Sequence, residues 1–238
     1  TRRDAGAAID GVVQNIGSYV YFPGGVVPML PSQLSDGLCS LKPEVDRLAL
    51  VCKIELSKPG IIKKYEFMEA VIHSHARLTY SKVAKMLYEG DDYLRLRYNA
   101  VLPHVEHLGA LFTALIKQRK KRCALDLDIP ETRIVFGSDK KIDAIVRVTR
   151  HDAHSLIEEC MLVANVCSAE FLLSQKHPAL YRIHPKPKST SLSAFREFLA
   201  GVGLSLSGGE APSPKDYAKL LASAEGREDE KIVHMLLL

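Results

Sequence analysis

The stretch from Leu48 to Leu56, which reads LALVCKIEL, decides the fold class. Its apolar residues are spaced two apart: Leu48, Leu50, Cys52, Ile54 and Leu56. Lys53 and Glu55 occupy positions of the opposite parity. Because side chains alternate between the two faces of a strand, this pattern predicts a half-buried β-strand.

The residues that follow predict the partner of this strand. Lys58-Pro59-Gly60 is typical of a turn. Beyond it, Tyr65, Phe67 and Val71 share one parity and predict a second strand with one apolar face. The two strands are therefore expected to form an antiparallel hairpin over about residues 47–72.

Further out, the pattern alternates between short strands and helices. Thr79 is placed to cap a helix, and Pro103 should kink or restart the helix predicted for residues 92–122. Further strands are predicted at Val20–Phe22, Thr132–Phe136, Lys141–Val148 and Ala179–His184. The second and third of these flank the turn at 137–139 and are expected to form a second antiparallel hairpin over about 132–149. Further helices are predicted at about 151–173, 191–202 (ended by Gly203), 216–224 and 229–238. The helix at 151–173 has a broad apolar face and should be largely buried. The fold class predicted is α+β.

Composition narrows the class of protein. The 238 residues are 47% hydrophobic and 25% charged, as in ordinary globular domains. No apolar run approaches the length of about 20 residues that a membrane helix needs. The five cysteines form no C-x-x-C pair, which favours reduced thiols and a cytoplasmic location. The net charge of +4 permits a polyanionic partner without requiring one.

A basic run closes the predicted helix before residue 123. Its five cations occupy six positions: Lys117, Arg119, Lys120, Lys121 and Arg122, interrupted by Gln118. Such a run can contact phosphates. Alternatively, it places cations favourably at a helix C-terminus.

Two groups of histidines raise the question of a metal site. His154 and Glu158 are four apart, so they share one helix face as two metal ligands would. A polar edge on a buried helix is the alternative. His73 and His75 share one face of the second hairpin strand, as partly exposed strand histidines also would.

Aromatic residues beside polar or Gly/Pro segments form a third group of candidates. Tyr21 and Phe22 precede Pro23, and Tyr80 follows Thr79. Aromatic rings of this kind can stack on nucleobases. Ordinary core packing is the alternative for each of them.

From Tyr19 onward the chain resembles the catalytic domain of the ribonuclease II and ribonuclease R family, also called the RNB domain, and is most similar to the ribonuclease R branch. The resemblance rests on long motifs in the family's order: VYFPGGVVPMLP (20–31), LSDGLCSLKPEVDRLALVCKIELSKPG (34–60), YEFMEAVIHSHARLTYSKV (65–83), RCALDLDIPE (122–131), DAHSLIEECMLVANV (152–166), PALYRIHPKP (178–187) and the closing MLLL.

The resemblance implies a 3′→5′ exoribonuclease that draws single-stranded RNA into a channel and hydrolyses it to 5′-nucleotides. Mg²⁺ held by an acidic cluster activates the water in that family. Tyr21 corresponds to the tyrosine that stacks near the RNA 3′ end, and Glu159 to a residue that contacts the terminal nucleotides. Leu127 replaces a stacking phenylalanine of the motif R-G-A-L-D-F-D, here RCALDLD.

One signature of the family has no counterpart in this sequence. The acidic motif D-G-x-D-A-R-D-F-D-D should precede Tyr21, and residues 1–18 contain nothing like it. We therefore expect residues 1–18 to be a degenerate segment and residues 19–238 to be a partial catalytic domain, truncated at both ends, with antiparallel hairpins packed against long buried helices.

The alternative to an exoribonuclease is an inactive RNA-binding remnant. No residue of this chain is assigned as catalytic or metal-binding. The expected partner is the 3′ end of single-stranded RNA, without DNA or membrane, and the expected state is a monomer.

Overall fold

The computed structural model describes residues 18–125, 132–139, 141–148, 150–181, 183 and 185–237. The chain divides into two compact units. The first comprises Thr1–Glu55, Ile62–Ala110 and Glu131–Cys160. The second comprises Leu56–Ile61, Leu111–Pro130 and Met161–Leu238.

Within the described ranges, the strands form three two-stranded sheets, each made of neighbours in sequence. Both predicted hairpins are confirmed, and a third, shorter hairpin lies near the start of the described chain. The strands are β1 (Val20–Phe22), β2 (Gly25–Val27), β3 (Asp46–Leu56), β4 (Ile62–His73), β5 (Thr132–Phe136) and β6 (Ile142–Arg147).

The helices confirm the predicted α+β class. They are α1 (Gln33–Leu38, a short π-helix), α2 (Tyr80–Ala84, which continues as a π-helical turn over Lys85–Glu89), α3 (Asp92–Arg97), α4 (Leu102–Lys121), α5 (Asp152–Ser174), α6 (Ser189–Gly201), α7 (Pro214–Ala224) and α8 (Glu230–Leu236). By contrast, the strand predicted at Ala179–His184 is wrong for the residues described there, because 177–181 adopt no regular structure and Leu180 is fully exposed.

Helix boundaries follow from capping and from proline. The Thr79 side chain accepts a hydrogen bond from the Lys82 amide at 3.3 Å, as predicted for an N-cap. Asp91 caps α3 in the same way through the Leu94 amide at 2.9 Å. Pro103 lies in the first turn of α4, where its missing amide hydrogen costs least. The predicted restart of the helix at this proline is confirmed.

The β3–β4 hairpin corrects the predicted apolar face. Leu48 and Leu50 are 85% and 74% exposed, and Val71 is 64% exposed. Cys52, Ile54 and Leu56 are half-buried, as expected. Because both Val51 and Cys52 are half-buried, the alternation changes phase there, and the single face predicted for Leu48 to Leu56 is wrong at its first two leucines.

The loop of this hairpin packs against the second half of α4. Gly60 has φ +84° and is buried, and a Cβ at this position would lie 3.0 Å from the Ala114 carbonyl oxygen. The Gln118 side chain donates a hydrogen bond to the Pro59 carbonyl at 2.5 Å. Only glycine fits this close approach without a shift of backbone.

Helix α5 is confirmed, but its apolar face is only partly buried. Leu156 and Cys167 are 2% and 0% exposed, whereas Met161 and Leu173 are 59% and 69% exposed. Since the helix carries apolar residues on most of its circumference, one buried side leaves others in solvent. The expectation of a largely buried helix is therefore wrong for its second half.

Helices α6, α7 and α8 enclose a hydrophobic core of their own. Its buried members are Leu192, Leu199, Leu206, Leu220, Ala224 and Val233. Gly203, at φ +74°, ends α6 with the amide of Leu204 bonded to the carbonyl of Leu199 at 2.7 Å. This Schellman geometry confirms the stop that was predicted for Gly203.

Candidate nucleic-acid interface

Tyr21 lies in β1, opposite Val26 of β2. Its side chain is 75% exposed, and its ring stacks on that of Tyr19 with centroids 6.2 Å apart and planes inclined by 24°. Phe22 is 59% exposed. Core packing is therefore wrong for Tyr21, whose aromatic surface is available for contact with another molecule.

Glu159 lies in α5 and is 1% exposed. The preceding Glu158 is exposed and accepts a hydrogen bond from Arg150 at 2.7 Å. Burial and the neighbouring Glu159 carboxylate together raise the pKa of the Cys160 thiol. The role implied for Glu159 at the RNA end stays a prediction, and direct contact would require its covering side chains to move.

The basic run lies at the end of α4. Lys117, Lys120, Lys121 and Arg122 are exposed, while Arg119 is half-buried and donates to the Leu125 carbonyl at 3.3 Å. Arg119 thus supports the chain reversal after the helix, and the four exposed cations remain accessible to an anion. The two interpretations of the run, phosphate contact and helix-end stabilisation, are both compatible with this position.

The end of α4 shows why the family motif has glycine where this chain has Cys123. Cys123 has φ +54°, and its amide bonds to the Lys120 carbonyl at 3.0 Å while the Ala124 amide bonds to that of Arg119 at 3.3 Å. This Schellman motif favours glycine at the position of Cys123, and glycine is the residue of the motif R-G-A-L-D-F-D. Leu127 lies outside the described residues.

The two groups of histidines have different surroundings. His154 stacks on Tyr80 with ring centroids 4.0 Å apart, and His151 follows at 5.8 Å from His154. His73 contacts Asp46 at 2.7 Å and Glu44 at 3.7 Å. The hydrogen bond to Asp46 raises the pKa of His73. Over the part of the chain that the structure describes, no group of three His, Cys, Asp or Glu side chains is arranged to hold a metal ion.

The residues predicted for RNA contact do not all belong to one compact unit. Tyr21 and Glu159 belong to the first unit, and the basic run belongs to the second. The sequence did not predict one further group of residues. In this group, the side-chain cations of Lys82 and Arg97 both lie over the ring of Tyr98. Its only signal in the sequence was the alternation of tyrosine and arginine in DYLRLRY, residues 92–98.

None of the helices in the described ranges combines the length and the apolar character needed to cross a bilayer.

Comparison with known proteins places this geometry in a family. Ribonuclease R of Vibrio parahaemolyticus is 48% identical over 232 residues, which are 98% of this chain and 28% of that protein. Ribonuclease R of Escherichia coli is 45% identical over 230 residues, again 28% of its length. The chain therefore spans less than a third of these curated relatives.

A solved structure of a ribonuclease R has a similar fold. Mycoplasma genitalium ribonuclease R in complex with ribose-methylated single-stranded RNA superposes with a TM-score of 0.88 at 29% identity, over 99% of this chain and 37% of that one. The profile of the RNB domain matches residues 3–238. With the α+β hairpin-and-helix fold and the sequence motifs, these matches establish that the chain belongs to the RNB domain family.

Proposed function

We propose that this chain is the RNA-holding part of a 3′→5′ exoribonuclease and that it binds the 3′ end of single-stranded RNA. The observation that carries the proposal is the exposed side chain of Tyr21, which is 75% accessible. The family resemblance implies that this residue corresponds to the stacking tyrosine. The relative from Mycoplasma genitalium has been solved with ribose-methylated single-stranded RNA and also with double-stranded RNA, which supports RNA as the ligand.

The physical basis of binding is stacking together with charge. A base that stacks on an exposed aromatic ring contributes about 1–3 kcal/mol. The exposed Lys117, Lys120, Lys121 and Arg122 can each neutralise a phosphate and release a counterion, which makes binding salt-dependent. Single strands are favoured over duplex because only unpaired bases offer a free face to the ring.

The family implies a divalent metal, and we propose Mg²⁺ for the complete enzyme. Mg²⁺ prefers carboxylate and water oxygens in an octahedral arrangement. The described residues of this chain do not fit that requirement, since no cluster of three potential ligands occurs among them. No step of hydrolysis is therefore derived from these residues.

A second candidate is an inactive RNA-binding protein of the same fold. The observation that favours it is the absence, anywhere in the 238 residues, of a sequence like D-G-x-D-A-R-D-F-D-D. We propose that the full activity of the lineage is exonucleolytic and that this chain alone binds RNA without degrading it. A monomeric state, a cytoplasmic location and a preference for RNA over DNA belong to the same proposal.

Binding is tested by titrating the chain with a fluorescent single-stranded oligoribonucleotide and with its duplex. We expect tighter binding of the single strand and a loss of about 1–3 kcal/mol for Tyr21→Ala. Phe136→Ala, which removes another exposed aromatic side chain, is the matched control and should bind as the parent does. A folded Tyr21→Ala protein with full affinity would contradict the proposal.

Degradation is tested separately with end-labelled RNA, with Mg²⁺ and with EDTA. We expect intact RNA under both conditions from a nuclease-free preparation. Mononucleotide release that EDTA abolishes would instead show that this chain carries the hydrolytic activity itself, and would remove the inactive alternative.

A further inference from the structure

Helices α2 and α3 bring two cations and two tyrosines together, and we call these residues the α2–α3 cluster: Lys82, Tyr93, Arg97 and Tyr98. The Lys82 ammonium donates a hydrogen bond to the Tyr98 hydroxyl at 3.0 Å and lies 5.4 Å from the centre of its ring. The Arg97 guanidinium lies 5.7 Å from the same ring and donates to the Tyr93 hydroxyl at 3.3 Å. Both cations thus contact the ring of Tyr98.

The positive charge of this cluster is not neutralised within the described ranges. Neither Lys82 nor Arg97 forms an ion pair with a carboxylate there. The neighbouring Arg95 differs, because it donates to the Met86 carbonyl at 2.8 Å and pairs with Glu106 at 2.7 Å. The hydrogen bond from Lys82, with the charges of Lys82 and Arg97, lowers the pKa of Tyr98.

Helix-end electrostatics explain only one of the two cations. Arg97 closes α3, where the helix dipole favours a positive charge. Lys82 lies three residues after the N-cap Thr79 but also in the last turn of the five-residue α2, so the helix dipole gives it no definite preference. Its ammonium donates to the Tyr98 hydroxyl and has further donors that an anion can accept.

The elements that carry the cluster are fixed by local contacts. Gly90, at φ +68°, forms the turn before α3, and Asp91 caps that helix. The bond from Arg95 to the Met86 carbonyl ties α3 to the turn that follows α2. Side chains held on such a frame lose less conformational freedom when a ligand binds.

We propose that the α2–α3 cluster is a second contact for single-stranded RNA, in which Lys82 and Arg97 bind neighbouring phosphates and Tyr93 stacks on a base. Tyr93 is 67% exposed, so its ring is accessible while its hydroxyl receives the bond from Arg97. Cations interleaved with exposed aromatic rings are the pattern that binds single strands without sequence preference. The inference rests on the proposed function, since it needs an RNA ligand.

The test measures the affinity of the chain for a single-stranded oligoribonucleotide, longer than that used for Tyr21, over a series of salt concentrations. The double variant Lys82→Gln/Arg97→Gln should bind more weakly, with a log–log salt slope shallower by about 1.4, since each phosphate contact on a single strand contributes about 0.7. Tyr93→Ala should lower affinity about fivefold or more. Lys215→Gln, which removes an exposed cation from α7, is the matched control and should leave affinity and slope unchanged.

A charge-retaining variant separates charge from folding. Lys82→Arg/Arg97→Lys should keep the parent slope, and a thermal melt of each variant reports its fold. Parent-like affinity and slope in a folded Lys82→Gln/Arg97→Gln protein would overturn this inference and leave the role of Tyr21 intact. A loss of slope in the charge-retaining variant would also overturn it. Absence of RNA binding by the parent chain would overturn both proposals.

Discussion

Helices α6 to α8 bury their apolar side chains, whereas the β1–β2 hairpin exposes its aromatic side chains to solvent. In the helices, Leu199 and Val233 are both 0% exposed. In the hairpin, Tyr21 and Phe22 are 75% and 59% exposed, although Phe22 is fully apolar and the ring of Tyr21 is largely so. The difference indicates that the helices are stabilised by their own core, whereas the aromatic residues of the hairpin contribute little to stability and are available for binding.

The largest effect on stability is expected inside the α6–α8 core. Leu199→Ala should lower the free energy of unfolding by about 2–5 kcal/mol, because a fully buried leucine leaves a cavity when it is truncated. Urea denaturation followed by circular dichroism measures this loss. An unfolding midpoint equal to that of the parent would show that this core does not stabilise the helices, and would contradict the difference between the two regions.

The next effect compares a glycine from each region. A Cβ on Gly208 would lie 2.7 Å from the Pro212 Cα, and this glycine has φ +91°. Gly208→Ala should therefore cost about 1–3 kcal/mol. Gly24, in the β1–β2 turn, has open space around a Cβ, so Gly24→Ala is the matched control and should change stability far less. Equal losses in the two variants would contradict the difference between the regions.

Acid should weaken the α6–α8 region through Asp216. Hydrogen bonds from the hydroxyls of Ser207 and Ser213, at 2.5 and 2.6 Å, and from the Ser213 amide lower the pKa of Asp216 to about 2. A carboxyl group whose pKa is lower in the folded state stabilises above its ordinary range, near pH 3.8, and loses that contribution as the pH falls towards 2.

The measurement is the unfolding midpoint between pH 5 and pH 2. The parent should lose stability as the pH falls through this window, and Ser207→Ala should lose less because its carboxyl group has one donor fewer. Identical pH profiles for the two proteins would show that this hydrogen bond does not lower the pKa.

A smaller change, in the opposite direction, is expected at the end of α4. Cys123 holds φ +54°, a conformation that costs a residue with a side chain roughly 1–2 kcal/mol, part of which glycine loses again as chain entropy. Cys123→Gly should therefore stabilise the chain by about 0.5–1 kcal/mol. Thermal and urea unfolding of the two proteins would show it, and a destabilised variant would contradict the Schellman assignment.

The smallest effect is expected on the exposed hairpin. Phe22→Ala should change the free energy of unfolding by no more than about 0.5 kcal/mol, as is usual for surface substitutions. A loss approaching that of Leu199→Ala would mean that the hairpin is part of a core, and the comparison would fail.

Periodicity and local chemistry predicted most of the elements. Alternation indicated β3 and β4, Thr79 and Pro103 marked the starts of α2 and α4, and Gly203 marked the end of α6. These signals are local, so they do not depend on tertiary packing. The described residues of the range 179–184 do not form the predicted strand, because an apolar run is compatible with an exposed irregular segment as well as with a sheet.

Burial and distant neighbours were harder to predict. The change of phase at Val51–Cys52 exposes Leu48, and no residue in the sequence marks it. Glu159 has the polarity of a surface residue and is nevertheless buried. The pairing of Lys82 with Tyr98 joins residues 16 apart across a turn, which helical spacing does not reveal. Such features depend on tertiary contacts rather than on local pattern.

The most direct test of the central claim is a photo-crosslink. A single-stranded oligoribonucleotide carrying 5-iodouridine at its 3′ end is bound to the chain, irradiated, and the modified peptide is identified by mass spectrometry. We expect a crosslink at Tyr21 on the exposed β1–β2 hairpin, and we expect it to be lost in Tyr21→Ala. Crosslinks confined to α6–α8 would contradict it.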